Sequence, residues 1–574
     1  MTRRKARPQT PPAWRRVLVL VLLLGMPALL MARAVSLQLF EGQFLQGQGD
    51  QRHLRVESLP AHRGTIHDRQ GEPLAISAPV DSVWADPGVT VDQASAAELR
   101  SLARTLDLKP GPLRDDLLQR RSREFYFLQR HVAPDVADAV TALDIPGVDL
   151  QREYRRFYPT GEVTGHVLGF TNIDDRGQEG IERAYDDWLA GEPGEKRVLR
   201  DRHGRTIEDV ARLTEPDPGR DLTLTLDKRL QYVAYRELTS AVERHNAVSG
   251  SVVLLDADNG DILAMVNRPS FNPNRRSEMT GDRYRNRAVT DSYEPGSVMK
   301  PFTILAALRS GRYEPETVVD TAPGVMRVGG HSVRDVRDFG ELTVTGVLRK
   351  SSNVGAAQIG LSLDEGRVWE TLNELGIGSP TGLGFPGEAT GSLSSMPSQR
   401  PIERATLAFG YGLSVTNLHL ARGYAAIASG GELPTPALIA EGRRSSPERV
   451  MTAERARQLR QMLTTVTEPG GTATQAAIPG YRVAGKTGTS RKAVAGGYAE
   501  DRYVSTFAGM APATDPRFVA VVTINEPRGE EYYAGSVAGP VFRAVVSDAL
   551  RLYNVMPDAP VDETAMTVAG GDQP

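Results

Sequence analysis

The chain has 574 residues, of which 40% are apolar, 24% charged and 6% aromatic, enough for two to four globular domains of ~150 residues each. Its net charge of −3 and pI of about 6.4 exclude a whole-chain electrostatic footprint for nucleic acid. No cysteine is present and the nine histidines show no H-E-x-x-H spacing, so disulfides, thiol nucleophiles, a metal site and any cofactor bound through one are not expected.

In chain order, Arg3, Arg4, Lys5, Arg7, Arg15 and Arg16 all precede the first acidic residue, Glu41, and Val17 to Ala32 carry no charge. The basic flank and the apolar length predict a cytoplasmic tail over 1–16 and a membrane anchor over 17–35, with everything beyond on the outer side. Arg33 can snorkel to the far interface, and Pro27 is tolerable in a membrane helix. Ala32-Arg33-Ala34 also has the form of a signal-peptide cleavage site, and a buried helix of a soluble protein is a third reading.

Residues 36–221 read as a mixed region with long irregular stretches and no reactive constellation. Thr214 to Asp221, dense in Pro, Gly and charge, marks a boundary. Beyond it, Leu222 to Leu226 alternates and Asp227 to His245 has helical spacing. Ser251–Asp256 and Asp261–Val266, joined through Asn259-Gly260, read as a hairpin. Tyr481–Thr489, Val504–Met510 and Phe518–Ile524 are three further strands, and Val541–Tyr553 a helix. Strands split by a mostly helical stretch over 297–480 predict an α+β domain over 222–553. Residues 554–574 read as a flexible tail.

Three short elements carry the chemistry. Ser297-Val-Met-Lys300 opens an apolar helical run, and positions three apart share a helix face. A lysine kept neutral by burial can take the proton of the adjacent serine and make it a nucleophile. Pro301, lacking an amide donor, fits an opening turn there. With 32 serines and eight lysines, chance alone gives about 0.4 matches to S-x-x-K. Ser351-Ser352-Asn353 can place a hydroxyl and an amide on one side of a cleft, although Ser-Asn pairs commonly cap helices. Lys486-Thr487-Gly488-Thr489 lies on a predicted strand. Thr487 and Thr489 share a face there, and Gly488 permits a close backbone approach. A solvated lysine on an edge strand is the ordinary alternative.

In this order the three elements resemble the S-x-x-K, S-x-N, K-T-G set of penicillin-binding proteins and class A β-lactamases. Arg285 to Asp291 ahead of Glu294-Pro-Gly-Ser297 resembles the division-type class B penicillin-binding proteins, the FtsI-like, penicillin-binding protein 3 group. So do Ala484 to Thr489, Phe507 to Ala513 and Tyr411 to Thr416. Arg63-Gly-Thr-Ile-His-Asp68-Arg69 matches their pedestal signature R-G-x-I-x-D-R. Two positions depart: Val298-Met299 stands for the commoner Thr-Val, and Gly539 precedes Pro540-Val541-Phe542 where relatives have Ala.

The resemblance implies a single-pass inner-membrane enzyme at the division site. It implies a pedestal of the class B dimerisation type over 36–221. It also implies a penicillin-binding transpeptidase fold, a five-stranded antiparallel sheet flanked by helices plus an all-helical part. The implied reaction is cross-linking of peptidoglycan stem peptides by a D,D-transpeptidase. Ser297 would attack the D-Ala-D-Ala donor with Lys300 as base. Ser351 would relay the proton, Asn353 orient the donor, and Lys486, Thr487 and Thr489 receive the terminal carboxylate beside Gly488. An amine acceptor resolves the acyl-enzyme, and β-lactams acylate the same serine. Implied partners are a polytopic septal glycan polymerase, FtsW-like, and other divisome proteins. A membrane-anchored D,D-carboxypeptidase and a β-lactam-binding sensor or scaffold remain as alternatives.

Overall fold

The structure, a computed structural model, describes residues 13–39, 54–200, 206–275, 281–442, 446–494 and 496–560. The greater part of each expected terminal tail, 1–12 and 561–574, lies outside the described residues. Ala13–Leu39 is one helix of 27 residues, ~40 Å at 1.5 Å per residue. Its Ala13–Leu37 portion is apolar and long enough to cross a membrane. Ala32, Arg33 and Ala34 lie within it.

The chain divides into two compact units: one contains residues up to 61, 79–154 and 192–217, the other 62–78, 155–191 and 218 onward. The chain crosses between the units five times, the last time between 217 and 218. In the first unit Leu54–Leu59, Gly194–Arg200 and Thr206–Thr214 form an antiparallel sheet. A separate core there gathers Leu99, Leu102, Leu113, Leu117 and Val140 from three helices around Val83 and Val132. The first of these helices opens on a capping box in which Ser95 and Glu98 satisfy each other's backbone amides.

The second unit is built on a five-stranded antiparallel sheet of β1 (Ser249–Asp256), β2 (Ile262–Arg268), β3 (Ala484–Val494), β4 (Gly497–Ala511) and β5 (Phe518–Asn525). The spatial order is β2-β1-β5-β4-β3, which leaves β3 at an edge. β1, β2 and β5 read as nearly continuous apolar runs because both faces are covered. Val252, Leu254, Ala520 and Val522 face one core with α1 (Lys228–Arg244) and α6 (Gly539–Leu552). Val253, Leu255, Val519 and Val521 face the other. That second core holds α2 (Lys300–Arg309), α4 (Asn353–Ser362) and α5 (Asn417–Ala428), with α3 (Val344–Lys350) leading into α4. Lys300 through Leu308 are all buried. A helix apolar on every side belongs at the centre of a core, and that placement carries Lys300 inside with it.

The 297–480 stretch is helical as expected, but it also holds small hairpins, Val318–Asp320 with Glu341–Thr343 and Val325–Val328 with His331–Arg334. The pedestal signature is structural. Arg63 is buried and donates to Glu182 Oε2 at 2.8 Å and Asp186 Oδ1 at 2.7 Å, while Arg156 donates to Glu182 Oε1 at 2.7 Å. Asp68 closes its own turn by accepting from the amides of Gln70 and Glu72, and also accepts from Lys228 N at the start of α1.

Candidate active site

Ser297 lies in a 3-10 turn, Gly296–Met299, and the α-helix proper begins at Lys300 with Pro301 in its first turn. The serine thus sits just before the α-helix rather than inside it. The turn is held on two sides. Gly296 N donates to Gly410 O at 3.0 Å, and Tyr293 exchanges backbone bonds with Val415. On the other side lies β3. A Cβ on Gly488 would stand 2.7 Å from Pro295 O and 3.0 Å from Val298 Cγ1. The close approach that Gly488 permits is therefore that of the chain's own serine turn. Ser490, two residues on and on the same face, donates from Oγ to Glu294 O at 2.7 Å.

Lys300 is fully buried. Its Nζ donates to Asn353 Oδ1 at 2.9 Å, to Ser351 Oγ at 3.3 Å and to Ser351 O. Ser297 Oγ is not among these partners. Burial pushes this amine down from 10.5 to about 7, and the negative charge of Asp335 offsets part of that fall. Lys486, also fully buried, donates to Ser351 Oγ at 2.8 Å and curls back to Thr487 O at 2.9 Å. It is pushed well below its ordinary value, first by burial and then by the charge of Lys300. Two ammonium groups on one buried hydroxyl repel, so the apo site favours at most one of them charged.

Ser351 is the hinge of this arrangement. It ends α3 in the left-handed region at φ +60°, which turns its carbonyl and hydroxyl toward Lys300. Ser352 then caps α4 by accepting from Gly355 N at 2.9 Å. The capping alternative holds for Ser352, while Ser351 and Asn353 on either side face the lysine. Thr487 and Thr489 share the other face of β3: Thr487 Oγ1 lies 2.8 Å from Thr472 Oγ1, and Thr489 Oγ1 accepts from Ala534 N at 3.1 Å. All eight residues singled out in the sequence fall in this one region. Asp335 and Thr472 were missed. Thr472 follows Gly470-Gly471, a turn signal only, and Asp335 sits in a loop with no signal at all.

Residues 250–547 match the model of the penicillin binding protein transpeptidase domain, and 58–224 that of the penicillin-binding protein dimerisation domain. The chain is 42% identical over 551 residues to the peptidoglycan D,D-transpeptidase FtsI of Escherichia coli K12, covering 95% of this chain and 93% of that one. A solved peptidoglycan synthetase from Bifidobacterium adolescentis superposes with a TM-score of 0.70 at 25% identity, over 89% of this chain and 98% of the other. Penicillin binding protein 3 of Mycobacterium tuberculosis, solved with aztreonam, gives a TM-score of 0.67 at 28% identity, over 88% and 99%. With both domain models matched and the three motifs converging on one buried amine, the chain belongs to the penicillin-binding protein transpeptidase family.

Proposed function

We propose that the protein is the peptidoglycan D,D-transpeptidase of septal wall synthesis, acting through an acyl-enzyme on Ser297. The observation that carries this reading is the placement of Lys300. Its amine is buried, brought to about 7, and gripped by Ser351 and Asn353, so it is poised to accept a proton near neutrality. Ser297 Oγ attacks the penultimate D-Ala carbonyl and its proton passes to Lys300. The backbone N–H groups of Ser297 and Thr489 stabilise the oxyanion. Thr487, Thr489 and Lys486 receive the terminal carboxylate, an anion that restores charge to Lys486 on binding. Ser351, hydrogen-bonded to both lysines, relays the proton to the departing D-Ala, and Asn353 orients the donor. The amine of a second stem peptide then displaces the serine and forms the cross-link, while a β-lactam leaves the serine acylated.

The apolar N-terminal helix supports a single-pass anchor in the inner membrane. The basic residues ahead of it favour a cytoplasmic tail over 1–16, an anchor over 17–35 and a periplasmic pedestal and catalytic domain over 36–221 and 222–553. Glycan chains come from a polytopic, FtsW-like polymerase within the divisome. The test is mass spectrometry of the penicillin-treated protein: a single adduct on Ser297, absent from Ser297→Ala. An adduct elsewhere sinks the assignment. Cross-link formation on lipid-linked substrate separates a synthase from a carboxypeptidase or a sensor.

A further inference from the structure

Asp335 follows the strand His331–Arg334, and its backbone N–H donates to Gly324 O at 2.9 Å, which fixes the loop. Its carboxylate is committed on both oxygens. Oδ2 accepts from Ser352 Oγ at 2.5 Å, and Oδ1 accepts from Asn353 N at 2.5 Å and Val354 N at 3.1 Å. These are the first amides of α4, where a negative charge is favoured by the helix dipole. The same turn presents Asn353 Oδ1 to Lys300 Nζ at 2.9 Å.

We propose that Asp335 is a positioning residue for acyl transfer: its carboxylate clamps the Ser352–Asn353 turn that holds Asn353 Oδ1 against Lys300, and it places a negative charge on that side of the buried amine. The proposal rests on the reading of Lys300 as the base. Among the described residues, two ionisable groups act on Lys300. Lys486 approaches from β3 through the shared Ser351 hydroxyl and disfavours a second positive charge. Asp335 approaches from the hairpin loop, carries the opposite sign, and counters part of the effect of burial. When Asp335→Asn removes the charge, Lys300 loses a counter-charge and is expected to deprotonate at lower pH.

A simple helix cap predicts something different, and the pH profile separates the two. Acylation of the full chain in detergent by a fluorescent penicillin is followed from pH 5 to 9. The wild-type rate is expected to show an acid limb near neutrality, where Lys300 gains its proton. Asp335→Asn keeps the shape and most of the hydrogen bonds but not the charge, and its acid limb moves down by roughly 0.5–1 pH unit. Asp335→Glu keeps the charge and leaves the midpoint in place, with a lower rate from the altered reach. Ser352→Ala removes one clamp bond without touching the charge, so its rate falls at an unmoved midpoint. Should Asp335→Asn fail to fold, Asp335→Ser, a neutral residue that still caps, makes the same prediction. A neutral variant that loses rate at an unchanged midpoint, or that matches the wild type throughout, overturns the proposal. A wild-type profile with no acid limb, or Lys300→Ala that still acylates, overturns the base assignment instead.

Discussion

Ser351 occupies a backbone conformation that costs a non-glycine residue ~1 kcal/mol or more, at φ +60°. Its neighbours justify the strain: both lysines bond to its side chain. Glycine adopts this conformation freely, so Ser351→Gly is expected to keep or raise the melting temperature while acylation falls by about 10²-fold or more through loss of the relay hydroxyl. Parallel loss of fold and activity would contradict that division of roles. Lys300 makes a second prediction with a definite sign. Its folded value of about 7 lies below its ordinary 10.5, so the unfolded chain binds the extra proton between these limits. Stability therefore rises with pH from 7 toward 10.5 and is lowest at and below 7. Lys300→Met removes this dependence, and denaturant titrations at pH 7 and 9.5 should show the stability difference between variant and wild type shrinking at the higher pH. Lys300→Arg should not restore acylation, because arginine stays protonated.

At the scale of elements, the junction between β3 and the serine turn depends on a missing side chain. A Cβ at position 488 would press on Pro295 O and Val298. Gly488→Ala is expected to cost ~1–3 kcal/mol, the range for overpacking, and to slow acylation more than the stability loss explains, because the turn that moves carries Ser297. Glu182 makes a parallel case away from the site. It is buried between Arg63 and Arg156, and Glu182→Ala leaves two buried guanidinium groups short of a counter-ion, at an expected ~3–5 kcal/mol, read from urea unfolding. β1, β2 and β5 were legible because each is a nearly continuous apolar run, and β1–β2 also because Asn259-Gly260 marks its turn, whereas β3 and β4 mix polar and charged residues into shorter apolar stretches. Their spatial order was not, since Val252 pairs with both Val266 and Val522 and nothing local distinguishes near from far partners. The hairpins at 318–343 escaped notice because their strands are only three or four residues long and mostly exposed. In the site, the three motifs were readable from residue type and order. Asp335 was not, because its role depends on a loop meeting a helix N-terminus.

For the whole molecule, the decisive contrast is between one helix and everything else. Leu18, Leu22, Leu24, Leu29 and Met31 on the N-terminal helix are 49–73% exposed, on all sides rather than along one stripe. Such a helix needs an apolar solvent. Removing residues 1–39 should release a protein that no longer partitions into membranes yet still acylates, while N-terminal sequencing of the membrane-extracted full chain should not begin at Val35, as a cleaved signal would. The anchor also bears on role. The proposed reaction joins peptides and makes no glycan, so the proposal pairs it with a separate polymerase that supplies the strands to be joined. An anchored cross-linker can work beside a polymerase in the same bilayer, and the resemblance around Ser297 and over Ala484–Thr489 is to the division type. Depletion in cells is therefore expected to give filaments with blocked septa. Rounded cells that continue to divide would place the enzyme in wall elongation instead, and the chemistry proposed at Ser297 would be untouched by that outcome, because it is argued from Lys300, Ser351 and Lys486 and not from where the membrane carries them.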